Sequence, residues 1–505
     1  MTPIPVVAEN TERQPLKLRL ENFRLFRDSG WLDLAPLTCL VGRNSSGKSS
    51  IVSALLLLKQ SIENEVFGSA ITPLALSGQY CDLGQFRDLV HNHDESCEIS
   101  FSFQVPVSQL TNSRLQRNPA LVELATPRAT RLIAGSYRMF SPHDDRPIEK
   151  GLMSVRLTFS ADQPFGPSLS RCEMEITGLG SVKFIRTISG ERKQHWRTYT
   201  DFETFHPMEF RPTARSFFPI ILNRDKTYNA LATSKKTRSR QIANACRSFF
   251  TYLEGLLRRS EMIGPFRQPP DRRYTFAGFG ASRSGPSGEQ AIDLLITESL
   301  LRKRKSQPLI DAVSYWLKVL KLADSLRIRD IAKHLNLFEV DVRLSGRTTR
   351  SNLADVGFGV SQVLPVLVQG LLMEPGGVYF VQEPEIHLHP DAQAGLADFF
   401  IYLACQGVTC IVETHSEYLL LRLRRRLAER AKPAISVMPK LRGQRTSIKA
   451  DNVSVLFSQA MGNEAGITKL QIGEGFQFEN LPAGFMSQIT DDRMLLLKAA
   501  SKGNA

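Results

Sequence analysis

Residues 37–62 read LTCLVGRNSSGKSSIVSALLLLKQSI. Leu37–Val41 is a short apolar run of strand character. Gly42-Arg43-Asn44-Ser45-Ser46-Gly47-Lys48-Ser49 then fits G-x-x-x-x-G-K-[ST], and Ser50 opens a segment with apolar residues at helical spacing. Strand, glycine loop and helix are the setting this motif requires. Glycines let the backbone wrap tightly, so that several N–H groups converge on a phosphate, and the helix N-terminus adds positive potential there. In that setting Lys48 reaches the β- and γ-phosphates, and the Ser49 hydroxyl serves Mg²⁺. Residues 42–50 are therefore read as a nucleotide cradle, with ATP and Mg²⁺ as the expected cofactors.

The second half of such a site must come from acids on other strands. Val378–Val381 is a buried-strand run that ends in Gln382-Glu383-Pro384-Glu385-Ile386-His387-Leu388-His389-Pro390. A second apolar run, Val408–Val412, ends in Glu413-Thr414-His415-Ser416, and a helical segment follows. An acid at a strand end can organise a metal and its water, and a histidine at a strand tip can sense a phosphate. Between the two halves, DVGFGVSQVLPVL (Asp355–Leu367) opens a helix with glycines, again a phosphate-facing arrangement. His387 and His389 also alternate on one extended segment with Cys410 farther along, which leaves a zinc reading open; it lacks a third ligand at suitable spacing.

Cradle, glycine-rich helix opener, EPEIHLHP and ETHS, in that order, resemble the ABC-type ATPase heads of RecF, SMC and OLD-family proteins. LRLENFRLF (18–26), DLGQFRDLV (82–90), IGPFRQPPDRRY (263–274) and LPAGF (481–485) are similar to an OLD-like bacterial branch of AAA ATPases. The wider group includes ATPases of the PARIS, Septu, Gabija and Menshen antiphage-defence systems. The resemblance implies an α/β P-loop NTPase of ABC-head type, with an antiparallel β lobe and a helical insertion where others carry a coiled coil. It implies that Glu383 is the catalytic glutamate and His415 the switch histidine. Gly357–Gln362, with Gly359 and Ser361, becomes the signature that contacts the γ-phosphate held by a second protomer, and Gln85 a Q-loop residue. Mg²⁺ falls to Ser49, Gln382 and Glu383. Two departures stand out. Gln382 occupies a place where the family has an acid, which suggests slow turnover and leaves Glu385 as a spare acid. Gly357 occupies the place of the signature's leading serine, with Ser361 as a substitute from a shifted register.

The 505 residues, 42% hydrophobic and 23% charged, are ordinary for a soluble globular chain of several domains. The expected division is a flexible tail (1–15), an N-terminal head part (16–105), a β-rich lobe (106–215) and a helical insertion (216–330). A C-terminal head part (331–430) and final strands with a helix (431–505) complete it. No apolar run approaches the roughly 20 residues of a membrane span, and no secretory signal is seen. Seven scattered cysteines without a CxxC pair fit reduced thiols, so a cytoplasmic location is expected.

Residues 150–200 alternate like antiparallel strands, while 240–260 and 288–325 have helical spacing. KKTRSR (235–240) reads as a mobile basic loop, LFEVDVRL (337–344) as a strand returning to the head sheet, and RSGPSGE (283–289) as a flexible loop. There is no long heptad run. The 90 residues after His415 carry no DxD at a strand end and no HNH-like set, and Asp491-Asp492 sits at a helix start. A nuclease, if one is involved, is expected on another chain.

The net charge is +14, clumped at Lys235, Lys236, Arg238 and Arg240, at Arg258, Arg259, Arg267, Arg272 and Arg273, at RKRK (302–305) and at RLRRRLAER (422–430). Such clumps are either solvated helix faces or contacts for nucleic acid or an acidic partner. The function expected from all this is a homo-oligomeric ATPase, a sensor and scaffold that controls a separate effector in antiphage defence. The alternatives are a RecF-like DNA-maintenance ATPase bound to duplex DNA, and a scaffold that holds ATP without hydrolysing it.

Overall fold

The computed structural model describes residues 16–63, 74–111, 151–161, 166–189, 193–201, 209–213, 216–222, 233–278, 280–301, 307–429, 448–473 and 475–480. The chain divides into two compact units. One comprises residues 34–52 and 259–505 with the first ten residues, the other 11–33 and 53–258. The division falls inside the helical stretch expected over 216–330.

The first unit is built on a six-stranded sheet. Its order is Glu261–Ile263, Val378–Gln382, Thr409–Glu413, Leu37–Gly42, Val453–Met461 and Glu464–Leu470. The first five strands run parallel and the last is antiparallel to its neighbour. Parallel strands covered on both faces read as continuous apolar runs without alternation. Val378–Val381 and Cys410–Glu413 are buried at every position, as the runs VYFV and CIVE require. Because the five parallel strands point the same way, their C-terminal ends gather on one edge. That edge receives the cradle, Gln382-Glu383 and Glu413-Thr414-His415.

Helix Phe358–Leu372 is buried along Val360–Gly370 and Pro390–Cys405 along one broad face, so both belong to the core. Trp316, from helix Pro308–Val319, wedges its indole edge-on against Phe399 at 5.0 Å and tilts against Tyr402 at 5.4 Å. Such aromatic pairs add about 0.5–1.5 kcal/mol beyond the area they bury.

LFEVDVRL is a strand, Leu337–Leu344, but it does not join this sheet. It lies in a separate antiparallel sheet with Ala323–Ala332, Tyr274–Thr275 and Ser351–Asn352. The physical reason is local. Ala323–Ala332 ends only a short turn before it in the chain, and an antiparallel hairpin needs no crossover.

The second unit carries an antiparallel sheet in the order Phe26–Asp28, Leu16–Phe23, Ile99–Pro106, Leu152–Ser160, Ser168–Ile176, Gly180–Ser189, Lys193–Thr200. The last four strands are consecutive hairpins, as the alternation over 150–200 predicts. Phe101 sits 5.3 Å from Phe23 and 5.8 Å from Phe159, cross-strand ring pairs of the kind that stabilise sheets. KKTRSR is not a loop here: it lies in helix Thr233–Arg258. The stripe Ile242, Cys246, Phe249, Leu253 and Leu257 in that helix is buried, with Phe249 set 6.3 Å from Phe103. A buried stripe of this length carries the helix backward through its basic N-terminal turns.

The last helix expected after residue 480, Asp491-Asp492, LPAGF and RKRK lie outside the described residues. Among the described residues no helix is long and apolar enough to cross a membrane.

Candidate functional site

The cradle turns sharply after its strand. Gly42 has φ +140° and Gly47 +104°, and Ser45 also takes a positive φ of +59°. At Gly42 the glycine is compulsory: a Cβ would lie 2.1 Å from the backbone oxygen of Ser458 on the neighbouring strand. Gly42-to-Ser49 wraps into helix Lys48–Glu63, with the Ser50 N–H bonded to the Gly47 oxygen at 3.0 Å. Arg43, Asn44 and Ser45 are exposed at the rim, while Ser46, Lys48 and Ser50 are buried. Lys48 Nζ folds back to donate to the oxygens of Gly42 at 3.0 Å and Arg43 at 2.7 Å. Burial pulls its pKa down, against the charges of Glu413, Glu383 and Glu385. The buried Ser46 hydroxyl has no hydrogen-bond partner. An ammonium resting on two loop carbonyls and an unused buried hydroxyl are what a phosphate-binding loop shows before phosphate oxygens take their place. The residues present therefore fit a nucleotide's phosphates.

Three carboxylates converge on this edge. Ser49 Oγ donates to Glu413 Oε1 at 2.7 Å, and Gln382 Nε2 donates to Glu413 Oε2 at 2.7 Å. Glu383 follows in a left-handed backbone conformation, φ +45°, with its N–H bonded to the Glu413 oxygen at 2.8 Å. A non-glycine residue there carries strain of about 1–3 kcal/mol, sustained only where surroundings enforce it. Arg267 enforces it. Its Nη2 donates to the carbonyls of Gln382 at 2.7 Å and Glu383 at 3.1 Å, while Nε and Nη1 are buried without partners. Burial draws the Arg267 pKa down, opposed by Tyr379, Glu385 and Glu383.

Glu385 is the pin between the two loops. Its Oε1 accepts the His415 backbone N–H at 2.5 Å. Burial raises its pKa, against the bonds from His415 and Thr414. His415 itself is exposed toward the cradle edge. Burial, then the Lys48 charge, lower its pKa, while Glu383 and Glu413 oppose them. The shift favours the neutral imidazole, which can donate from one nitrogen and accept at the other. Ser416 caps helix Glu417–Ala428 through a bond from the Leu419 N–H at 3.1 Å and donates its own hydroxyl to Gln393 at 2.7 Å.

The structure thus brings residues 42–50, Gln382, Glu383 and His415 to one sheet edge. The signature segment lies in the same unit: Gly357 is the N-cap of helix Phe358–Leu372 and is exposed. The Ser361 hydroxyl turns inward, buried, and donates to the Phe358 oxygen at 3.0 Å; Gln362 is buried as well, and Gly359 is half-buried. Exposed Phe358 stands 5.8 Å from His387. Gln85 belongs to the second unit, where it is the N-cap of the short helix Phe86–Leu89. No group of three or more His, Cys, Asp or Glu side chains is placed to hold a metal among the described residues, so His387, His389 and Cys410 do not assemble a zinc site.

Sequence reasoning quoted Glu413 at the end of its strand and counted Arg267 in a basic clump, but gave neither a role at the site. Both stand inside recognisable motifs, Glu413 at the strand tip in ETHS and Arg267 between the prolines of GPFRQPP.

Two family profiles match the chain: "AAA ATPase domain" over residues 16–106 and "AAA domain, putative AbiEii toxin, Type IV TA system" over residues 245–422. No curated protein matches in sequence. Similar solved structures include an Smc head bound to the C-winged helix domain of ScpA, 11% identical, covering 91% of this chain and 98% of that one, TM-score 0.37. The SMC head domain from Thermotoga maritima is 11% identical, with 91% and 100% covered and TM-score 0.33. An Smc head with an extended coiled coil bound to the C-terminal domain of ScpA, from Pyrococcus furiosus, is 10% identical, with 96% and 98% covered and TM-score 0.37. With the cradle inside one matched segment and the acids and histidine inside the other, the chain carries a P-loop AAA-type ATPase domain.

Proposed function

We propose that the protein binds and hydrolyses ATP as a regulatory head, each site being completed by the signature segment of a second copy. The observation that carries this is the convergence of Lys48, Ser49, Glu383 and His415 on one edge of a parallel sheet, with their positions fixed by buried partners. Lys48 leaves the Gly42 and Arg43 carbonyls to meet phosphate oxygens. Mg²⁺ supplies charge neutralisation and alignment of the transferred group when bound. Glu383, held at the end of its strand by Arg267, accepts the proton of the attacking water. Neutral His415 hydrogen-bonds the terminal phosphate and reports its presence to helix Glu417–Ala428. Gly357 of a second copy presents a helix N-terminus to the same phosphate. Nucleotide state then controls association with another macromolecule, as in other switches driven by a terminal phosphate.

Multiple-turnover phosphate release tests the reading. Lys48→Ala should lose nucleotide binding. Glu383→Gln should keep binding and lose about 10²–10⁴-fold in turnover, the usual worth of a positioned general base. Absence of turnover in the wild type would leave the non-hydrolysing scaffold.

For what the nucleotide controls, the charge of +14 favours a RecF-type role on duplex DNA. Two of the four basic clumps are, however, engaged within the chain. Arg422 and Arg426 pair with Asp398, Arg425 with Glu429, Arg272 with Asp355, and Arg273 with Glu339. A DNA track would therefore rest on the clumps at 235–240 and 302–305, whose side chains lie outside the described residues. Control of a separate effector in antiphage defence rests on the sequence resemblance. Duplex binding that weakens steeply with salt supports the first; a co-purifying effector without duplex binding supports the second.

A further inference from the structure

The cradle's serine is met by an acid, but from a different strand than the resemblance assigns. Glu413 closes the strand hydrogen-bonded directly to the cradle strand, with Glu413 in register with Leu40. Gln382 closes the next strand out, in register with Glu413. Neighbouring strands lie about 4.8 Å apart, so Gln382 starts roughly twice as far from the cradle strand. Glu413 is only 4% exposed. A carboxylate so placed needs donors on both oxygens, and it has them, from Ser49 at 2.7 Å and Gln382 at 2.7 Å. An acid at 382 would set two carboxylates in contact, where one must hold a proton. Glutamine there supplies an N–H instead. Gln382 and Glu413 are thus complementary, each explaining the other.

Ser49 and Glu413 also fit a magnesium ion. Oxygens adjacent in an octahedron of 2.0–2.1 Å bonds are about 2.9 Å apart. Ser49 Oγ and Glu413 Oε1 are already 2.7 Å apart.

We infer that Glu413 is the carboxylate on the metal side of the nucleotide site, and that Gln382 is its positioning partner, not a magnesium ligand. This rests on the reading of the cradle as an ATP site. The apparent loss of an acid at 382 is then a transfer of that acid one strand inward.

The test separates metal from nucleotide. Mant-ATP binding is measured in EDTA, and Mn²⁺ binding to the nucleotide complex is followed by electron paramagnetic resonance. Glu413→Gln should bind mant-ATP in EDTA like the wild type while Mn²⁺ affinity falls at least about 100-fold. Gln382→Met should weaken Mn²⁺ by about 10-fold, the smaller effect of losing a partner that orients a ligand. The exchange Gln382→Glu with Glu413→Gln should recover only part of the loss, because the acid then stands one strand farther out. If Glu413→Gln is isolated unfolded, Glu413→Asp decides: the shorter acid should bind Mn²⁺ about 10-fold more weakly. Mn²⁺ affinity indifferent to residue 413, or more sensitive to 382 than to 413, overturns the inference and leaves the ATP site standing. A wild type that binds no mant-ATP, in EDTA or with Mn²⁺ present, overturns the ATP reading and the inference with it.

Discussion

Replacing Arg267 by methionine should separate stability from turnover. The guanidinium makes two bonds to the carbonyls of Gln382 and Glu383, at 2.7 and 3.1 Å. Bonds to a charged group contribute about 1.5–3 kcal/mol each, so the pair stabilises the fold by roughly 3–6 kcal/mol. Against this stands the desolvation of a guanidinium that is only 6% exposed and has two donor nitrogens without partners, a cost of several kcal/mol. The two terms nearly cancel, and methionine fills similar space with an apolar chain. The midpoint of urea unfolding should therefore move little, equivalent to about 2 kcal/mol or less. Turnover should respond strongly. Without the clamp nothing on the Arg267 side holds Glu383 at φ +45°, and a displacement of about 1 Å in a reacting group costs on the order of 10²-fold. Mant-ATP affinity should be unchanged, because Arg267 bonds the acid's backbone and not the cradle. Phosphate release, mant-ATP titration and urea unfolding on the same preparation check all three. Full turnover by Arg267→Met, or parallel loss of nucleotide binding, would refute the positioning role.

Ser416→Ala removes the cap of helix Glu417–Ala428 and the bond to Gln393, so unfolding free energy should fall by about 1–2 kcal/mol, read by urea melts. The thiols give a pH prediction. Burial holds Cys39 and Cys246 up at about 12, above the ordinary 9.0. A raised folded pKa means that the stability of the protonated form is complete below pH 9 and is lost as pH rises toward 12, at roughly 1.4 kcal/mol per pH unit per thiol. Urea midpoints should fall across that window, and iodoacetamide at pH 8 should label Cys39, Cys172, Cys246 and Cys410 only after unfolding.

The local parts of the fold and site were legible in the sequence. Apolar runs bounded by glycine or by QEPE and ETHS mark parallel strands, and the residues after each run land on the same edge because parallel strands share a direction. Strand order required the fold. Glu413 and Gln382 are 31 residues apart, and no periodicity says that the later strand is inserted between the earlier one and the cradle. The arginines misled for a related reason. RLRRRLAER looks like a solvated or polyanion-binding run, yet Asp398 on the adjacent helix Pro390–Cys405 engages Arg422 and Arg426. KKTRSR looks like a loop because its own residues carry no apolar stripe; the stripe that makes it helical begins at Ile242, after the basic run ends.

Whether each site is completed by a second copy can be decided by mixing two inactive variants. Lys48→Ala disables the cradle. Gly357→Glu places a negative charge at the exposed signature N-cap, where a new Cβ meets nothing within 4 Å, so folding is spared. Each variant alone should release no phosphate above background. A mixed pair contains one site with an intact cradle from the second variant and an intact signature from the first, so mixing should restore phosphate release. A mixture that stays silent although the two variants associate, or Gly357→Glu hydrolysing at the wild-type rate alone, would contradict completion by a second copy.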